Sequence, residues 1–395
     1  MKSHKSIASV PSWVLESVAQ RKQGNLFRQT MVMESGQAPI AKVGDKQYLM
    51  FCGNDYLGLA NHPKLLKGLK QSAAEYGVGS GASHLVNGHN RLHQSLEEEL
   101  AQWLGYERVM LFSTGYMANL GVISALTDKN DLIVQDKLNH ASLLDGAKLS
   151  GAKLKRYLHK DSEAANRILQ QNQAQHKMLA TDGVFSMDGD IAPLDVLSSI
   201  ANEHDALFMV DDAHGLGCFG ENGVGSIGTY HLTQAQVPLL MGTFGKAFGT
   251  SGAFVATSND MADFLTQFAR PYIYTTAMSP AIAGATKASL SLIRGSEGED
   301  LRAKLDSNIA TFRTGAKQLG LTLTNSRTAI QPILVGESHK AIQFSEALKK
   351  QGVWCTAIRP PTVANGRARL RVTLSAQHTH QQIDVLLQAL SIAIA

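Results

Sequence analysis

The sequence has little cysteine, little net charge and no long apolar run, and each of these shortages excludes a class of protein. Three cysteines, Cys52, Cys218 and Cys355, are scattered among 395 residues, and no two have the spacing of metal ligands, which is typical of a reducing compartment. The formal net charge of +4 comes without a block of like charges, so we expect no binding to nucleic acid or to a membrane. No apolar run approaches the roughly 18 residues of a membrane span, and the N-terminus lacks the apolar core of a signal peptide. We therefore expect a cytoplasmic protein.

The composition is that of an ordinary globular protein, with 44% hydrophobic and 18% charged residues. From about residue 105 to residue 252, short and mostly continuous apolar runs alternate with helical patterns. Continuous runs indicate strands that are buried on both faces, and the alternation predicts an α/β domain with a mainly parallel sheet. The predicted strands of this sheet are 108–112, 131–134, 178–181, 206–210 and 238–241.

The chain as a whole divides into three predicted parts. They are an N-terminal helix and short strand segment, 1–50; a large α/β domain, 51–285; and a small C-terminal α+β domain, 286–395. The N-terminal helix is predicted over 12–30, and a long helical stretch over 281–319 crosses the boundary between the two domains.

Two short stretches carry the chemistry, namely V-D-D-A-H at 210–214 and T-F-G-K-A-F-G at 243–249. Each alone also fits a structural role, as a solvated turn lysine or a helix-capping aspartate. Both follow predicted strands, where ligands of open α/β sheets gather, and together they fit pyridoxal 5'-phosphate (PLP). Lys246 can form a Schiff base with the PLP aldehyde, and Asp211 can hold the pyridine nitrogen protonated, so that the ring accepts electrons. His214 can reach the phenolic oxygen of the ring.

Two further features have alternative interpretations. The turn S-T-G-Y at 113–116 follows a predicted strand, and its backbone N–H groups can bind a phosphate or simply begin a helix. His140 is either a helix-start histidine, which the spacing favours, or an aromatic plate against the cofactor. His84, His89 and His93 include a pair one helical turn apart, but no glutamate or third ligand completes a metal motif. We therefore expect no metal site.

With these residues in place, the sequence from about Arg28 to about Ser375 resembles the α-oxoamine synthase family of fold-type I PLP enzymes. The shared stretches are N-D-Y-L-G-L at 54–59, L-E-E-E-L-A at 96–101, N-H-A-S-L at 139–143, D-G-V-F-S-M-D-G at 182–189, D-D-A-H-G at 211–215 and T-F-G-K-A-F-G at 243–249. The resemblance implies the fold of the PLP-dependent transferases of fold type I, with PLP as cofactor.

The resemblance also implies a role for each site residue. Lys246 is then the Schiff-base lysine, and Asp211 and His214 are the partners of the ring nitrogen and the ring oxygen. His140 then stacks on the ring and also meets the substrate. The remaining contacts to the cofactor and its phosphate would come from Gly115, Tyr116, Ser186 and Thr243, and from Thr275 and Thr276 of the second subunit of a homodimer. The remaining substrate contacts would come from Asn54 and Arg371, to the amino-acid carboxylate, and from Arg28 and Thr362, to the acyl group.

The choice of substrates rests on a stretch near the C-terminus. A-I-R-P-P-T-V at 357–363, followed by A-R-L-R-V-T-L at 368–374, resembles the family member that condenses L-alanine with a pimeloyl thioester of acyl carrier protein or CoA. Two alternatives stay open: a glycine-using member that makes 2-amino-3-oxobutyrate, and a non-catalytic binding protein with the PLP fold. His84 stands where many relatives have arginine and Ala364 where proline is common, which bears on the acyl-chain preference.

Overall fold

The computed structural model describes residues 10–24 and 26–394, so the first nine residues of the predicted N-terminal part and residue 25 of its helix lie outside the described residues. The strands are β1 (Ile40–Val43), β2 (Lys46–Met50), β3 (Arg108–Phe112), β4 (Leu132–Asp136), β5 (Lys153–Tyr157), β6 (Lys177–Asp182), β7 (Ala206–Asp211), β8 (Leu239–Thr243), β9 (Ala253–Thr257), β10 (Ile330–Gly336), β11 (Val353–Trp354), β12 (Thr356–Ile358) and β13 (Ala368–Thr373). The helices are α1 (Ser12–Gln23), α2 (Pro63–Tyr76), α3 (Arg91–Leu104), α4 (Gly115–Leu126), α5 (Ala141–Ser150), α6 (Ser162–Gln171), α7 (Leu194–Glu203), α8 (Ser226–Thr229), α9 (Asn259–Phe268), α10 (Arg270–Tyr274), α11 (Pro280–Ile293), α12 (Ser296–Gln318), α13 (Ser338–Lys350) and α14 (His380–Ile394). A π-helical turn covers His84–Gly88 and a 3-10 turn covers Glu221–Gly223.

The centre of the molecule is a seven-stranded sheet with the strand order β3-β9-β8-β7-β6-β4-β5. Neighbouring strands from β8 to β5 run parallel, and β9 pairs antiparallel with both β3 and β8. Strands β4, β7 and β8 are almost entirely buried, as continuous apolar runs require. The prediction of an α/β fold with a mainly parallel sheet is therefore confirmed.

Two strands of this sheet lack the pattern that predicted the other five. Strand β5 is an edge strand of sequence K-L-K-R-Y, and its burial is partial because one side faces solvent. Strand β9 is fully buried, but its five residues form a short run with no periodicity of their own. Both were missed because a strand's place in the sheet is a tertiary property.

Capping residues in the local sequence set both ends of helix α3. The Asn90 side chain accepts hydrogen bonds from the backbone N–H groups of Leu92 and His93, and the His93 side chain accepts one from the Asn90 N–H. The helix stops at Gly105, which has the left-handed φ of 72° that a residue without Cβ adopts readily. Its buried stripe includes Leu96, Leu100 and Leu104.

The prediction of one long helix over 281–319 is wrong in one respect, because the structure has two helices there. Helix α11 ends at Ile293, and α12 begins at Ser296 after a break at Arg294–Gly295. At the break, Gly298 approaches the Ile293 carbonyl so closely that a Cβ on it would lie 2.2 Å from that oxygen. The N-terminal helix is also shorter than predicted, since α1 ends at Gln23.

The N-terminal strands join the C-terminal part of the chain. Strands β1 and β2 form a three-stranded sheet with β11, and β10, β13 and β12 form another. The predicted domain boundary at residue 285 falls within α11, which packs along α2, and the three-part division stays a prediction. Within the described ranges no helix has both the length and the apolar character needed to cross a membrane.

Candidate active site

Eight predicted site residues line one cavity of about 180 Å3 at the carboxyl ends of the parallel strands. They are Gly115, Tyr116, His140, Ser186, Asp211, His214, Thr243 and Lys246. Residues separated by more than 130 positions meet there because β7 ends at Asp211, β8 ends at Thr243, and β3 and β4 lead directly into the loops before α4 and α5. The strand ends therefore bring together the residues that the motifs selected.

Lys246 lies in a turn after β8 that the rest of the chain holds tightly. The Gly249 N–H donates to the Lys246 carbonyl at 2.9 Å, and Thr250 N–H donates to the Phe244 carbonyl at 2.9 Å. A Cβ on Gly249 would lie 2.5 Å from the backbone nitrogen of Ala60, so this glycine admits the segment that follows Asn54 rather than a ligand. On the other side of Lys246, a Cβ on Gly245 would meet nothing within 3.6 Å.

The Lys246 ammonium is half-buried and makes no hydrogen bond or ion pair with another described residue. Its withdrawal from water lowers its pKa to about 8, although the nearby carboxylates of Asp211 and Asp182 act in the opposite direction. At this pKa roughly a tenth to a fifth of the amine is neutral between pH 7 and 7.4, far more than at the ordinary lysine pKa of about 10.4, so the group is poised for chemistry.

Asp211 is 5% exposed and is fixed by two donors. Asn119 Nδ2 donates to its Oδ2 at 2.7 Å, and the Ala213 N–H donates to its Oδ1 at 3.1 Å. The same Asn119 amide group donates to Ser142 Oγ at 2.8 Å, and Ser142 Oγ lies 2.7 Å from His140 Nδ1. A continuous polar chain thus joins the carboxylate to the imidazole and fixes the orientation of both groups.

His214, which lines the cavity, is fixed by the buried Tyr56. The Tyr56 hydroxyl lies 2.7 Å from His214 Nδ1 and 3.1 Å from Asn54 Oδ1. Burial lowers the pKa of His214, and the Lys246 cation nearby lowers it further, so the ring is neutral. Burial raises the pKa of Tyr56 to about 12, which keeps its hydroxyl proton available as a donor.

Asn54 and Arg371 meet as the sequence predicts. Both terminal nitrogens of Arg371 point at Asn54 Oδ1, at 3.3 and 3.4 Å. Arg371 Nε donates to the backbone carbonyl of Ser186 at 2.7 Å, which anchors the guanidinium beside the cavity. A cation beside a neutral amide can bind a substrate carboxylate.

The start of helix α4 offers an anion site in the same cavity. Thr114 Oγ1 caps the helix by accepting from the Met117 N–H at 3.2 Å. The N–H groups of Gly115 and Tyr116, in the first turn, have no partner within the helix and point outward from its positive end. Both residues line the cavity, so a phosphate can bind there.

Six predicted site residues do not line this cavity, and two of them, Asn54 and Arg371, meet beside it. Thr362 lines a larger neighbouring cavity, and Arg28 is exposed on the segment that follows α1. Thr275 is half-buried and Thr276 is exposed, and the Thr276 carbonyl accepts from Ser113 Oγ at 3.0 Å. The single chain therefore leaves Arg28 and the two threonines outside its own site.

The residues that sequence analysis missed are those that support the predicted ones. They are Tyr56, Asn119, Ser142 and Asp182. Asn119 could have been identified from the sequence, because it is a polar residue within the apolar run of α4 and a buried amide needs a partner. The His140 N–H donates to Asp182 Oδ2 at 3.0 Å, and burial together with the Asp211 charge raises the pKa of Asp182.

The three histidines that do not complete a metal motif in the sequence, His84, His89 and His93, pack against each other. His84 Nδ1 lies 2.8 Å from His89 Nδ1, and His93 Nε2 lies 2.7 Å from the Met278 carbonyl. His89 precedes α3, so it does not lie one helical turn from His93 as the spacing indicated. Burial lowers the pKa of His84 to about 3. No three potential metal ligands of the types His, Cys, Asp or Glu cluster around a common point in the described part of the chain.

The site fits PLP on the evidence of its own groups. Among the residues that the structure describes, the Lys246 amine has no partner, the Asp211 carboxylate keeps acceptor capacity on the cavity side, and the α4 amides are free for a phosphate. Asn119 Oδ1 and Asp182 Oδ1 are buried and likewise have no partner within the described ranges, so the polar groups around the cavity are not all satisfied by these residues. The site therefore offers an amine to the PLP aldehyde, a carboxylate to the PLP ring nitrogen and N–H donors to the PLP phosphate.

Comparisons with known proteins agree with this geometry. Residues 46–390 match the family described as aminotransferase class I and II. The 8-amino-7-oxononanoate synthase of Marinomonas sp. (strain MWYL1) is 60% identical over 386 residues, which cover 98% of this chain and 96% of that protein. A solved serine palmitoyltransferase from S. paucimobilis with PLP and myriocin bound has a TM-score of 0.90 at 30% identity, with 96% of each chain covered. An 8-amino-7-oxononanoate synthase from Francisella tularensis has a TM-score of 0.78 at 33% identity, covering 88% of this chain and 98% of that one.

The chain belongs to the aminotransferase class I and II family, within the PLP-dependent enzymes of fold type I. Its cofactor is PLP. It is an acyltransferase, as its similarity to relatives at 50–60% identity over nearly the full chain indicates.

Proposed function

We propose that the protein condenses L-alanine with a pimeloyl thioester to give 8-amino-7-oxononanoate, carbon dioxide and the free thiol carrier, as a cytoplasmic step of biotin biosynthesis. The alanine Cα–H bond breaks, a bond forms between Cα and the acyl carbonyl carbon, and the thioester C–S bond breaks as the thiol leaves with a proton. The alanine carboxylate then leaves as carbon dioxide, and a proton from solvent is added to Cα. The names and full-length coverage of the relatives support this choice among the reactions open to the fold.

The observation that carries the proposal is that two neighbouring cavities share lining residues. The lysine cavity shares His140 and Ser186 with a cavity of about 730 Å3, and the larger one is walled by the segment around Thr362. Apolar side chains supply much of its lining, namely Leu138, Leu144, Phe185, Met187, Pro361 and Val363. An aliphatic acyl chain matches these walls, and its thioester carbon can then lie beside His140.

The chain's own residues would divide the work as follows. Bound PLP supplies an electron-accepting ring that acidifies the Cα–H of the amino acid. Arg371 and Asn54 hold the alanine carboxylate, and Lys246 takes the Cα proton as a neutral amine. Its pKa of about 8 supports this role, because roughly a tenth of the amine is neutral at pH 7, far more than at the ordinary lysine pKa of about 10.4. Asp211 keeps a proton on the ring nitrogen, and His214 contacts the ring oxygen.

The rim of the larger cavity suits an anionic thiol carrier. Lys137, Arg156 and Arg367 are exposed there, and among the described residues no carboxylate pairs with them. CoA and acyl carrier protein both present a phosphorylated pantetheine arm, and long-range attraction to a cationic rim would raise the rate of encounter with either.

A substrate matrix tests the proposed function. Alanine, glycine and serine are each paired with pimeloyl, succinyl, acetyl and palmitoyl thioesters of CoA, and the pimeloyl group is also presented on acyl carrier protein. We expect the highest kcat/KM for alanine with a pimeloyl thioester, with carbon dioxide released in equal amount. A preference for glycine with the acetyl thioester would show a 2-amino-3-oxobutyrate enzyme instead. A protein that binds PLP and turns over no pair would be a binding protein.

The active form is proposed to be a homodimer with shared active sites. Large apolar side chains are exposed beside the segment that holds Thr275 and Thr276, among them Val78, Val86 and Tyr274. The stacked rings of His84 and Tyr272, 4.9 Å apart, join the two segments that carry this surface. An exposed apolar surface of this kind is typical of a subunit interface.

Mixed dimers provide a direct test of the shared sites. A Lys246→Ala chain and a Thr275→Ala/Thr276→Ala chain are each expected to be inactive alone. If the threonines serve the partner's site, a mixed dimer has one site with both defects and one intact site, so about half of the wild-type activity per mixed dimer returns. Differently tagged chains are co-purified to verify subunit exchange before turnover is measured. Verified mixed dimers that stay inactive would show that the threonines serve their own chain.

A further inference from the structure

The segment between β6 and α7 forms one wall of both cavities. This segment, 183–191, is called here the Ser186 loop. It is folded back on itself, since the Phe185 N–H donates to the Asp190 carbonyl at 3.0 Å and the Gly189 N–H donates to the Phe185 carbonyl at 2.8 Å. Ser186 lines both cavities, while Phe185 and Met187 line the larger one. The position of this loop therefore decides the shape of the site.

On one side the loop is held by two arginines of β13. Arg371 Nε donates to the Ser186 carbonyl at 2.7 Å. Arg369 Nη1 donates to the Met187 carbonyl at 3.0 Å and to Asp188 Oδ1 at 2.7 Å. Because Arg371 is the proposed carboxylate ligand of the amino acid, a displacement of the loop would also displace that guanidinium.

On the other side the loop is held by His159, which follows β5. His159 Nε2 lies 3.0 Å from Asp190 Oδ2, and its Nδ1 lies 3.2 Å from both oxygens of Asp136 at the end of β4. Its ring also stands edge-on to the Phe185 ring, with centroids 4.4 Å apart. An imidazole with a carboxylate at each nitrogen donates from both nitrogens only as the imidazolium.

We infer that His159 is a positioning residue. As an imidazolium between Asp136 and Asp190, it fixes the Ser186 loop against Arg371 and thereby fixes the wall that this loop gives to the larger cavity. The inference rests on the proposed function for its kinetic consequences only. His159 also lines the larger cavity, but its two nitrogens are engaged by carboxylates and are not free for substrate.

The charge on His159 follows from its neighbours. Burial opposes the imidazolium, but the hydrogen bonds and charges of Asp136 and Asp190 outweigh this and raise its pKa to about 9. The remaining charged group beside the pair is Lys160, whose Nζ lies 3.2 Å from Asp190, while Arg369 of β13 pairs with Asp188 of the loop itself. Since the pKa in the folded state is raised, the contact is complete at neutral pH and weakens as the pH rises through about 9.

The test compares His159→Gln with a matched control, His176→Gln. His176 Nδ1 pairs with Asp131 at 3.1 Å, beside the other ends of β4 and β6, so the control loses a histidine–aspartate pair far from the cavities. We measure amide hydrogen exchange of the Ser186 loop in the holoenzyme, amino-acid affinity from the change in PLP absorbance, and KM and kcat between pH 6.5 and 9.5. For His159→Gln we expect faster exchange in the loop and about a 10-fold weaker affinity for alanine, in keeping with the loss of a charged hydrogen bond.

The kinetic signature separates positioning from general loss of stability. We expect the KM for alanine and for the thioester to rise in His159→Gln with a smaller change in kcat, and the wild-type rise of KM above pH 9 to be absent. Should this variant fold poorly, Asp190→Asn keeps the volume and removes one carboxylate, with the same direction expected. Unchanged loop exchange and unchanged alanine affinity in a folded variant, or equal changes in His176→Gln, would overturn the inference. Loop exchange depends on neither turnover nor the choice of amino acid, so it decides the inference even if the substrate matrix disproves the proposed reaction.

Discussion

Lys246→Ala is expected to reduce turnover by roughly 100- to 10,000-fold or more, while the protein remains folded and still binds PLP non-covalently. The expected loss is large because one side chain would provide both the covalent link to the cofactor and the base that takes the Cα proton. The structural cost is small, since the ammonium has no hydrogen-bond or ion partner among the described residues to lose.

The assignment is checked by trapping the covalent link. Borohydride reduction of the wild-type holoenzyme, followed by peptide mass analysis, is expected to place the PLP label on the peptide that contains Lys246. Lys129→Ala is a suitable control, because Lys129 is exposed in the turn before β4, at the end of the sheet away from the cavity. A label on another lysine, or near-normal turnover of Lys246→Ala, would contradict the role.

Local sequence predicted the central part of the site because its geometry is local. Asp211 and Lys246 each follow a short apolar strand, and neighbouring parallel strands bring their carboxyl ends together. The same rule placed the Gly115 turn at the start of α4. These residues were predictable because a strand end and a helix start can be recognised from a few neighbouring residues.

The supporting residues were not predictable in this way. Asn119 contacts Asp211 across 92 positions, and Tyr56 contacts His214 across 158. Such pairs depend on how whole elements pack, and no local pattern encodes that packing. For the same reason the edge strand β5 was missed, although it leads to His159, where the Ser186 loop is held.

Gly249 shows that a glycine beside a site residue need not serve the ligand. Glycines on both sides of Lys246 would by themselves indicate room for a bulky ligand. In the structure Gly249, with φ of 67°, admits the backbone of Leu59 and Ala60 instead. The residue type was informative, but only the tertiary contact shows which group approaches it.

Asp211→Asn is expected to preserve the fold and to lower the rate of Cα-proton removal much more than it lowers the affinity for alanine. Asparagine retains the volume and can keep one acceptor toward Asn119 or Ala213, but it carries no charge to hold a proton on the ring nitrogen. Truncating one member of a buried charge pair costs about 2–5 kcal/mol. Applied to the transition state alone, this range corresponds to a loss of rate of roughly 30-fold to several thousand-fold.

The neighbouring residue supplies a matched control for this prediction. Asp212 is also fully buried, and its Oδ2 accepts from the Ser226 N–H at 2.7 Å, on the side away from the cavity. Burial raises the pKa of Asp212 to about 7, so Asp212→Asn removes a similarly placed carboxyl that does not face the cofactor. Its effect is expected on thermal stability rather than on the chemical step.

Exchange of the alanine Cα proton for solvent deuterium, followed by NMR without any thioester, isolates the step that Asp211 would control. Alanine affinity is taken from the change in PLP absorbance in the same samples. We expect slow exchange with nearly normal affinity in Asp211→Asn, and nearly normal exchange in Asp212→Asn. Wild-type exchange rates in folded, PLP-loaded Asp211→Asn would show that the carboxylate only packs the cavity wall, and the ring nitrogen would then need no anionic partner for this chemistry.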